Sequence, residues 1–156
     1  LRVEAPVTYG ELLRTRLTEI GHDNRIGYLV GSILPAQAYY KAQKLRVLLR
    51  RQVLEALERV DVLVLPSSPG PAPKIPEGPG IKSQEEAHAG ISGVRSFSGP
   101  FNLAGVPAIS IPCGFTSQNL PISLQIAGRP FQDAVVMNVA HAYEQNSPWH
   151  TRRPPI

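Results

Sequence analysis

Serine hydroxyls, one thiol and four imidazoles are the side chains here that could attack a carbonyl or move a proton, and their spacing decides whether they do. A nucleophile elbow needs Gly-x-Ser-x-Gly, which sets a serine on a strained strand-to-helix turn. Ser92, Ser96 and Ser98 all miss that spacing, and no serine stands three residues ahead of Lys41, Lys44, Lys74 or Lys82. Cys113, the one cysteine, lies in an apolar alternating stretch. There it reads as a small core hydrophobe, because a reactive thiolate needs an electropositive neighbourhood. His22, His88, His141 and His150 are far apart, with no pair at metal-ligand spacing. Glu85, Glu86 and His88 are compact, but a solvated charged turn explains them. Neither a phosphate loop nor a dinucleotide glycine pattern occurs. The chain therefore offers no self-contained catalytic set, and no metal or cofactor is expected on it.

The elements that would position any site can be read from periodicity. Thr8 and Glu11 have capping-box spacing ahead of Leu12, Leu13, Leu17 and Ile20, with Gly21 as the stop. His22-Asp23-Asn24 reads as a turn, and residues 25–34, interrupted by Gly27 and Gly31, stay ambiguous. A long helix is predicted over 35–59, its inner stripe formed by Ala38, Ala42, Leu45, Leu49, Val53, Ala56, Leu57 and Val60. Asp61-Val62-Leu63-Val64-Leu65 is an apolar run without alternation, expected as a strand buried on both faces of a parallel sheet. Residues 67–82 are a Pro/Gly-rich loop, since proline cannot donate to a ladder. Glu85 to His88 are expected to form a short helix. Residues 108–113 and 122–127 alternate with period two and should pair antiparallel across a turn-rich connection. Asp133 then caps a helix carrying Val136, Val139, Ala140 and Tyr143 inward. The order gives an α/β fold, and three strands are too few for a free-standing sheet, so a wider one is expected.

The composition is that of a packed protein: 42% hydrophobic and 18% charged residues, with no run long enough for a membrane span. A single cysteine excludes an internal disulfide. The net charge is +4, much of it at Lys41, Lys44, Arg46, Arg50 and Arg51. Because these alternate with the apolar stripe, they read as the solvated side of an amphipathic helix rather than a nucleic-acid surface. The only methionine is Met137, so the chain is expected to be processed, trimmed or a piece of something longer. A cytoplasmic setting is expected from the lack of a leader-like start.

One set of blocks stands above this background. Phe101-Asn102-Leu103-Ala104-Gly105-Val106-Pro107 runs into Ala108-Ile109-Ser110-Ile111-Pro112-Cys113, and Leu120-Pro121-Ile122-Ser123-Leu124-Gln125-Ile126-Ala127-Gly128-Arg129-Pro130 follows. Val139-Ala140-His141-Ala142-Tyr143-Glu144 lies downstream, and Asp61 to Pro66 upstream. In this order the blocks resemble the C-terminal part of amidase signature enzymes, bacterial amidases and the A subunit of the glutamyl-tRNA(Gln)/aspartyl-tRNA(Asn) amidotransferase among them. The likeness covers residues 25–156, and Tyr39-Tyr40-Lys41-Ala42-Gln43-Lys44 is especially similar to the amidotransferase subunit.

The resemblance implies a mixed β-sheet covered by helices on both faces, with 1–156 as the C-terminal portion of a single larger domain. It implies cleavage of a carboxamide by a Ser–cis-Ser–Lys triad whose members lie upstream, leaving no catalytic residue on this chain. Arg25, ahead of Gly31, resembles the stretch near the glutamine pocket of the amidotransferase subunit. Arg95 falls where that subunit carries an acidic residue, which removes the carboxylate for an amino group and favours a general amidase. Asn102 reads either as a turn residue bonding its own backbone or as a substrate contact. Phe97 and Phe101 either wall the cleft or are simply buried. Pro66 to Pro69 sit past a strand's C-terminal end, where open α/β sheets place ligands. The expected partners are a small amide substrate and the N-terminal part of the same enzyme, with a homodimer also open. Transfer RNA belongs only to the amidotransferase alternative; a non-catalytic interaction module is the other.

Overall fold

The computed structural model describes residues 3–75, 77–78, 80–86 and 97–153. Helices and a three-stranded sheet together make the chain α/β. It comprises two compact units, Leu1–Lys44 with Lys74–Val94, and Leu45–Pro73 with Arg95–Ile156.

In the first unit, α1 (Glu4–Thr8) and α2 (Gly10–Thr15) precede a 3₁₀ turn (Leu17–Glu19) and α3 (His22–Ser32). Thr8 is not the expected N-cap: Pro6, tolerated in a first helical turn, lets a helix begin earlier, so Thr8 closes α1. Its hydroxyl donates to the Glu4 carbonyl at 3.4 Å. α1 packs on α3, and Tyr9 stacks on Tyr28 with ring centroids 5.7 Å apart. His22, Asp23 and Asn24 form the first turn of α3 rather than a loop. An acidic side chain suits that end of a helix, and Asp23 Oδ1 also accepts the Ile81 N–H at 2.9 Å. His22 Nε2 lies 2.8 Å from the Ile81 carbonyl. Residues 84–86 are helical; Ala87 and His88 lie outside the described residues.

The long helix α4 (Ala36–Glu58) has nearly the predicted bounds. Its stripe is largely uncovered: Leu57 is fully buried and Leu49 and Val53 half-buried, but Leu45 is 57% exposed. Ala38, Ala42, Ala56 and Val60 are exposed as well. Periodicity identifies an apolar face; it does not say how much of that face the chain itself can cover.

The second unit holds β1 (Val62–Pro66), α5 (Gly99–Ala104), β2 (Ala108–Phe115), β3 (Pro121–Gly128) and α6 (Asp133–Gln145), then a 3₁₀ turn (Trp149–Thr151). The sheet order is β1-β3-β2. The predicted β2–β3 pairing is present, with Ile109 opposite Ile126 and Ile111 opposite Leu124. A bulge between Pro112 and Gly114 shifts the register. β1 does not pair parallel as expected. It runs antiparallel to β3, Val64 opposite Ile126, so all strand pairs among the described residues are antiparallel. Nor is it buried on both faces, because Val64 is 54% exposed. A continuous apolar run reports a tendency to burial and carries no information on strand direction.

α6 covers one face of the sheet, where Ile111, Ile126, Val136 and Ala140 form the core, with Val62, Ile109, Leu124, Val139 and Tyr143 against it. The helix comes so close at Gly128 that an added Cβ would stand 2.5 Å from Val136 Cγ2. On that face Ile122 is exposed rather than buried with its neighbours. Cys113, at the bulge, is half-buried rather than core, its Sγ 3.7 Å from the Ile122 carbonyl. No described helix is long and apolar enough to cross a membrane.

Ile126→Ala should lower the free energy of unfolding in urea by about 2–5 kcal/mol, since it leaves a cavity under α6. A loss below about 0.5 kcal/mol, typical of a surface change, would remove Ile126 from the core.

Candidate functional site

α5 has only six residues, Gly99-Pro100-Phe101-Asn102-Leu103-Ala104. A helix that short does not hold itself together in water, so its persistence has to come from its surroundings. Phe101 and Ala104 are buried. Pro100 occupies the first turn, where its missing N–H costs nothing. Gly105 ends the helix in the left-handed region at φ 63°, and its N–H donates to the Phe101 carbonyl at 2.9 Å.

The carbonyls left over at that end are met from α4. Arg46 Nε donates to the Leu103 carbonyl at 2.7 Å, and Arg50 Nη1 donates to the Ala104 carbonyl and to that of Gly105 at 3.3 Å. Cationic donors suit a helix C-terminus twice over, by hydrogen bonding and by the helix dipole. These arginines were expected on a solvated face; their guanidinium groups instead reach across to α5. Lys41, Lys44 and Arg51 remain exposed.

Upstream of α5 the chain is tied to the sheet. Gln125, only 3% exposed, sits on the central strand, and its Nε2 donates to the Phe97 carbonyl at 3.3 Å. In the same row of the sheet stands Ser110, opposite Gln125. Its hydroxyl lies 3.0 Å from that of Ser67, just past the end of β1. The Ser67 N–H in turn donates to the Ser123 carbonyl at 3.0 Å. No described lysine, histidine or carboxylate bonds Ser67 or Ser110, so this pair lacks the base that would make either a nucleophile.

Beside β1 and β3 lies a cavity of about 440 Å³, lined by Val64, Pro66, Ser68, Cys113, Ile122 and Leu124 among others. Pro66, Ser68 and Pro69 border this cavity, although β1 is antiparallel and so lacks the parallel-sheet setting on which that expectation rested. Among the described residues no three His, Cys, Asp or Glu side chains come together as a metal would require.

Of the residues named from sequence, Phe97 and Asn102 are brought onto one short segment. Phe97 is 40% exposed, whereas Phe101 is core. Asn102 is exposed within α5 and is not the self-bonding turn that was one of its two readings. Arg25 belongs to the other unit, in α3. It is half-buried, and its Nε is buried with no hydrogen-bond partner among the described residues. Arg95 lies outside the described residues. Sequence reasoning missed Gln125, Arg46 and Arg50. The signal for Gln125 was there: an amide in a strand whose neighbours on the same face, Ser123 and Ala127, are small.

Comparison with known proteins places these features. A model of the family described as Amidase matches residues 14–137. The chain is 38% identical over 159 residues to the A subunit of the glutamyl-tRNA(Gln) amidotransferase of Thermodesulfovibrio yellowstonii, covering 99% of this chain and 32% of that protein. Among solved structures, the A subunit of the Thermotoga maritima glutamyl-tRNA(Gln) amidotransferase is 35% identical with a TM-score of 0.62, over 90% of this chain and 28% of that one. A 6-aminohexanoate cyclic dimer hydrolase is 26% identical with a TM-score of 0.78, over 99% of this chain and 34% of that one. The chain thus spans about a third of the length of the relatives it matches.

Arg50→Met keeps the aliphatic stem and removes the donors from the end of α5. The last turn should lose about 1.5–3 kcal/mol, the range for a charged hydrogen bond. Faster hydrogen exchange of the Gly105 and Val106 amides, both directed at the Phe101 carbonyl, would register it. Unchanged protection at both would show that the guanidinium does not hold the helix.

Proposed function

The chain belongs to the Amidase family, and from that premise we propose that it forms the C-terminal portion of a larger enzyme that breaks a carboxamide C–N bond. In this reading residues 1–156 are part of one larger amidase domain, with 67–82 a loop inside it. The nucleophile and its lysine relay are supplied upstream, and this portion supplies walls of the substrate cleft. The observation that carries the reading is the combination found at α5. A six-residue helix is fastened by arginines at one end, and the chain leading into it is fastened by a buried amide. It presents Asn102 and leaves Phe97 accessible, with no nucleophile–base set beside it among the described residues. A segment held that firmly yet chemically inert fits a binding surface better than a reaction centre.

Arg25, Arg95, Phe97 and Asn102 are the residues assigned to the cleft. A guanidinium there would hold a substrate carbonyl or carboxylate through hydrogen bonds strengthened by charge. The partners that go with this reading are a small amide, the N-terminal part of the enzyme and a second copy in a homodimer, in the cytoplasm. The isolated chain would be inactive.

A second reading, the A subunit of a glutamyl-tRNA(Gln) amidotransferase, is favoured by the names of the relatives at 35–38% identity. Against it stands Arg95, a cation where recognition of a glutamine amino group calls for an anion. Contact with tRNA would fall to Lys41, Lys44 and Arg51, since Arg46 and Arg50 are committed to α5.

Ammonia release by the full-length enzyme, measured on neutral amides, acidic amides and glutamine, separates the two readings. Arg25→Ala and Arg95→Ala should each lower kcat/KM by an amount equivalent to roughly 1.5–3 kcal/mol for a lost charged hydrogen bond. Equal kinetics for both variants and wild type on every substrate would remove these arginines from the cleft. Residues 1–156 alone should release no ammonia above background; turnover abolished by a substitution within them would overturn the assignment of the chemistry upstream.

A further inference from the structure

Gln125 is the one buried polar residue among those described, at 3% exposure. A carboxamide carries two donors and an acceptor, and burying it without partners is costly. An apolar residue would serve the sheet alone as well, since β3 is already held by backbone bonds to β1 and β2 on its two edges. What the amide adds is a bond to something outside the sheet. Its Nε2 reaches the carbonyl of Phe97, 28 positions earlier in sequence. Phe97 lies just before α5 (Gly99–Ala104), and no strand or helix of its own accounts for its carbonyl.

Two further facts bear on this tie. The far end of α5 is already fastened by Arg46 and Arg50; the Gln125 bond acts at the near end, ahead of the buried Phe101 and Ala104. Of the neighbours of Gln125 on its face of the sheet, Leu65 on β1 is large, whereas Ser110, Ser123 and Ala127 are small. The small ones let the incoming backbone lie close enough for a side chain from the central strand to reach it.

We propose that Gln125 is a positioning residue: through the Phe97 carbonyl it sets the placement of the Phe97–Asn102 segment, and so the shape of the amide-binding wall. The proposal rests on the cleft reading given above. Gln125 touches no substrate; it acts through the segment it holds. Loss of its bond lets Phe97 and the first turn of α5 wander while the sheet and its α6-covered core stay intact.

The test uses the full-length enzyme with Gln125→Met, which keeps the length of the side chain and removes its donor. Hydrogen exchange of the amides of residues 97–102 should quicken by about tenfold, the scale of one lost hydrogen bond, with β2 and β3 unchanged. The value of kcat/KM per folded molecule should fall by about tenfold on the best amide substrate, mainly through KM if the wall only binds. Gln125→Leu, which is of similar volume and also lacks the donor, provides the same measurements should the methionine variant fail to fold. Exchange and kinetics both within twofold of wild type would overturn the proposal. So would exchange rising evenly through β2 and β3 with unaltered kinetics per folded molecule, the pattern of a merely structural residue. Local exchange without a kinetic change would refute the link to the wall. If the wild-type enzyme turns over no amide, the proposed function fails, and the exchange comparison alone decides whether Gln125 holds the segment.

Discussion

A helix that stops inside a protein leaves carbonyl oxygens without partners, and the second unit depends on how arginines answer this at two places. Arg129, just past β3, donates from Nε to the Leu57 carbonyl at 2.9 Å and from Nη2 to that of Val60 at 3.1 Å. This ties the end of α4 to the end of the central strand. α4 in turn sends Arg46 and Arg50 to the end of α5. The dependence therefore runs from sheet to long helix to short helix, each joint a planar guanidinium on main-chain oxygens. Lysine could not replace these arginines on equal terms, because the fork presents several fixed donors where an ammonium offers a point charge. The nearby Asp61, 3.7 Å from Arg129 and well exposed, adds little, as surface ion pairs do.

That arrangement bears on the basic character of α4. Read as charge alone, Lys41, Lys44, Arg46, Arg50 and Arg51 form a block that could meet a polyanion. Two of the five are occupied with carbonyls, which divides the block and removes the continuity a phosphate backbone would follow. Helical spacing places Arg46 and Arg50 on one face, and that face is the one turned to α5. The positive charge on these two residues is better understood as a device for ending a helix than as a surface for an external partner.

How much of this was legible in the sequence follows from the range of each interaction. The bounds of α4, the β2–β3 pair and the helix after Asp133 are set by local periodicity, and all were readable. The short helices α1 and α2 were not, because Thr8 and Glu11 satisfy a capping pattern that Pro6 overrides by starting a helix sooner. The direction of β1 was hidden, since Val62 to Leu65 has the same composition whichever way its neighbour runs. The exposure of Leu45 on α4 was hidden too: a stripe records what a helix would bury, and coverage depends on elements distant in sequence. At the site, the Asn-Leu-Ala-Gly block was conspicuous by resemblance, but its fastenings join positions 28 to 57 residues apart. No local pattern announces such a pair.

The two faces of β3 show why the fastening residue had to be polar and single. On the α6 side, Leu124 and Ile126 supply apolar volume, and Gly128 supplies the gap that lets Val136 approach. The opposite side must receive a chain entering a six-residue helix, with a carbonyl at Phe97 that no regular element satisfies. A second apolar face would offer that oxygen no donor, and a buried acceptor left unpaired costs about 1–3 kcal/mol. A charged side chain would exchange this cost for a larger one, the burial of a charge. A neutral amide avoids both penalties, because it donates where it is needed and carries no charge. The central strand can thus be core on one side and an anchor for the segment leading into α5 on the other, using nothing more than the alternation of its side chains.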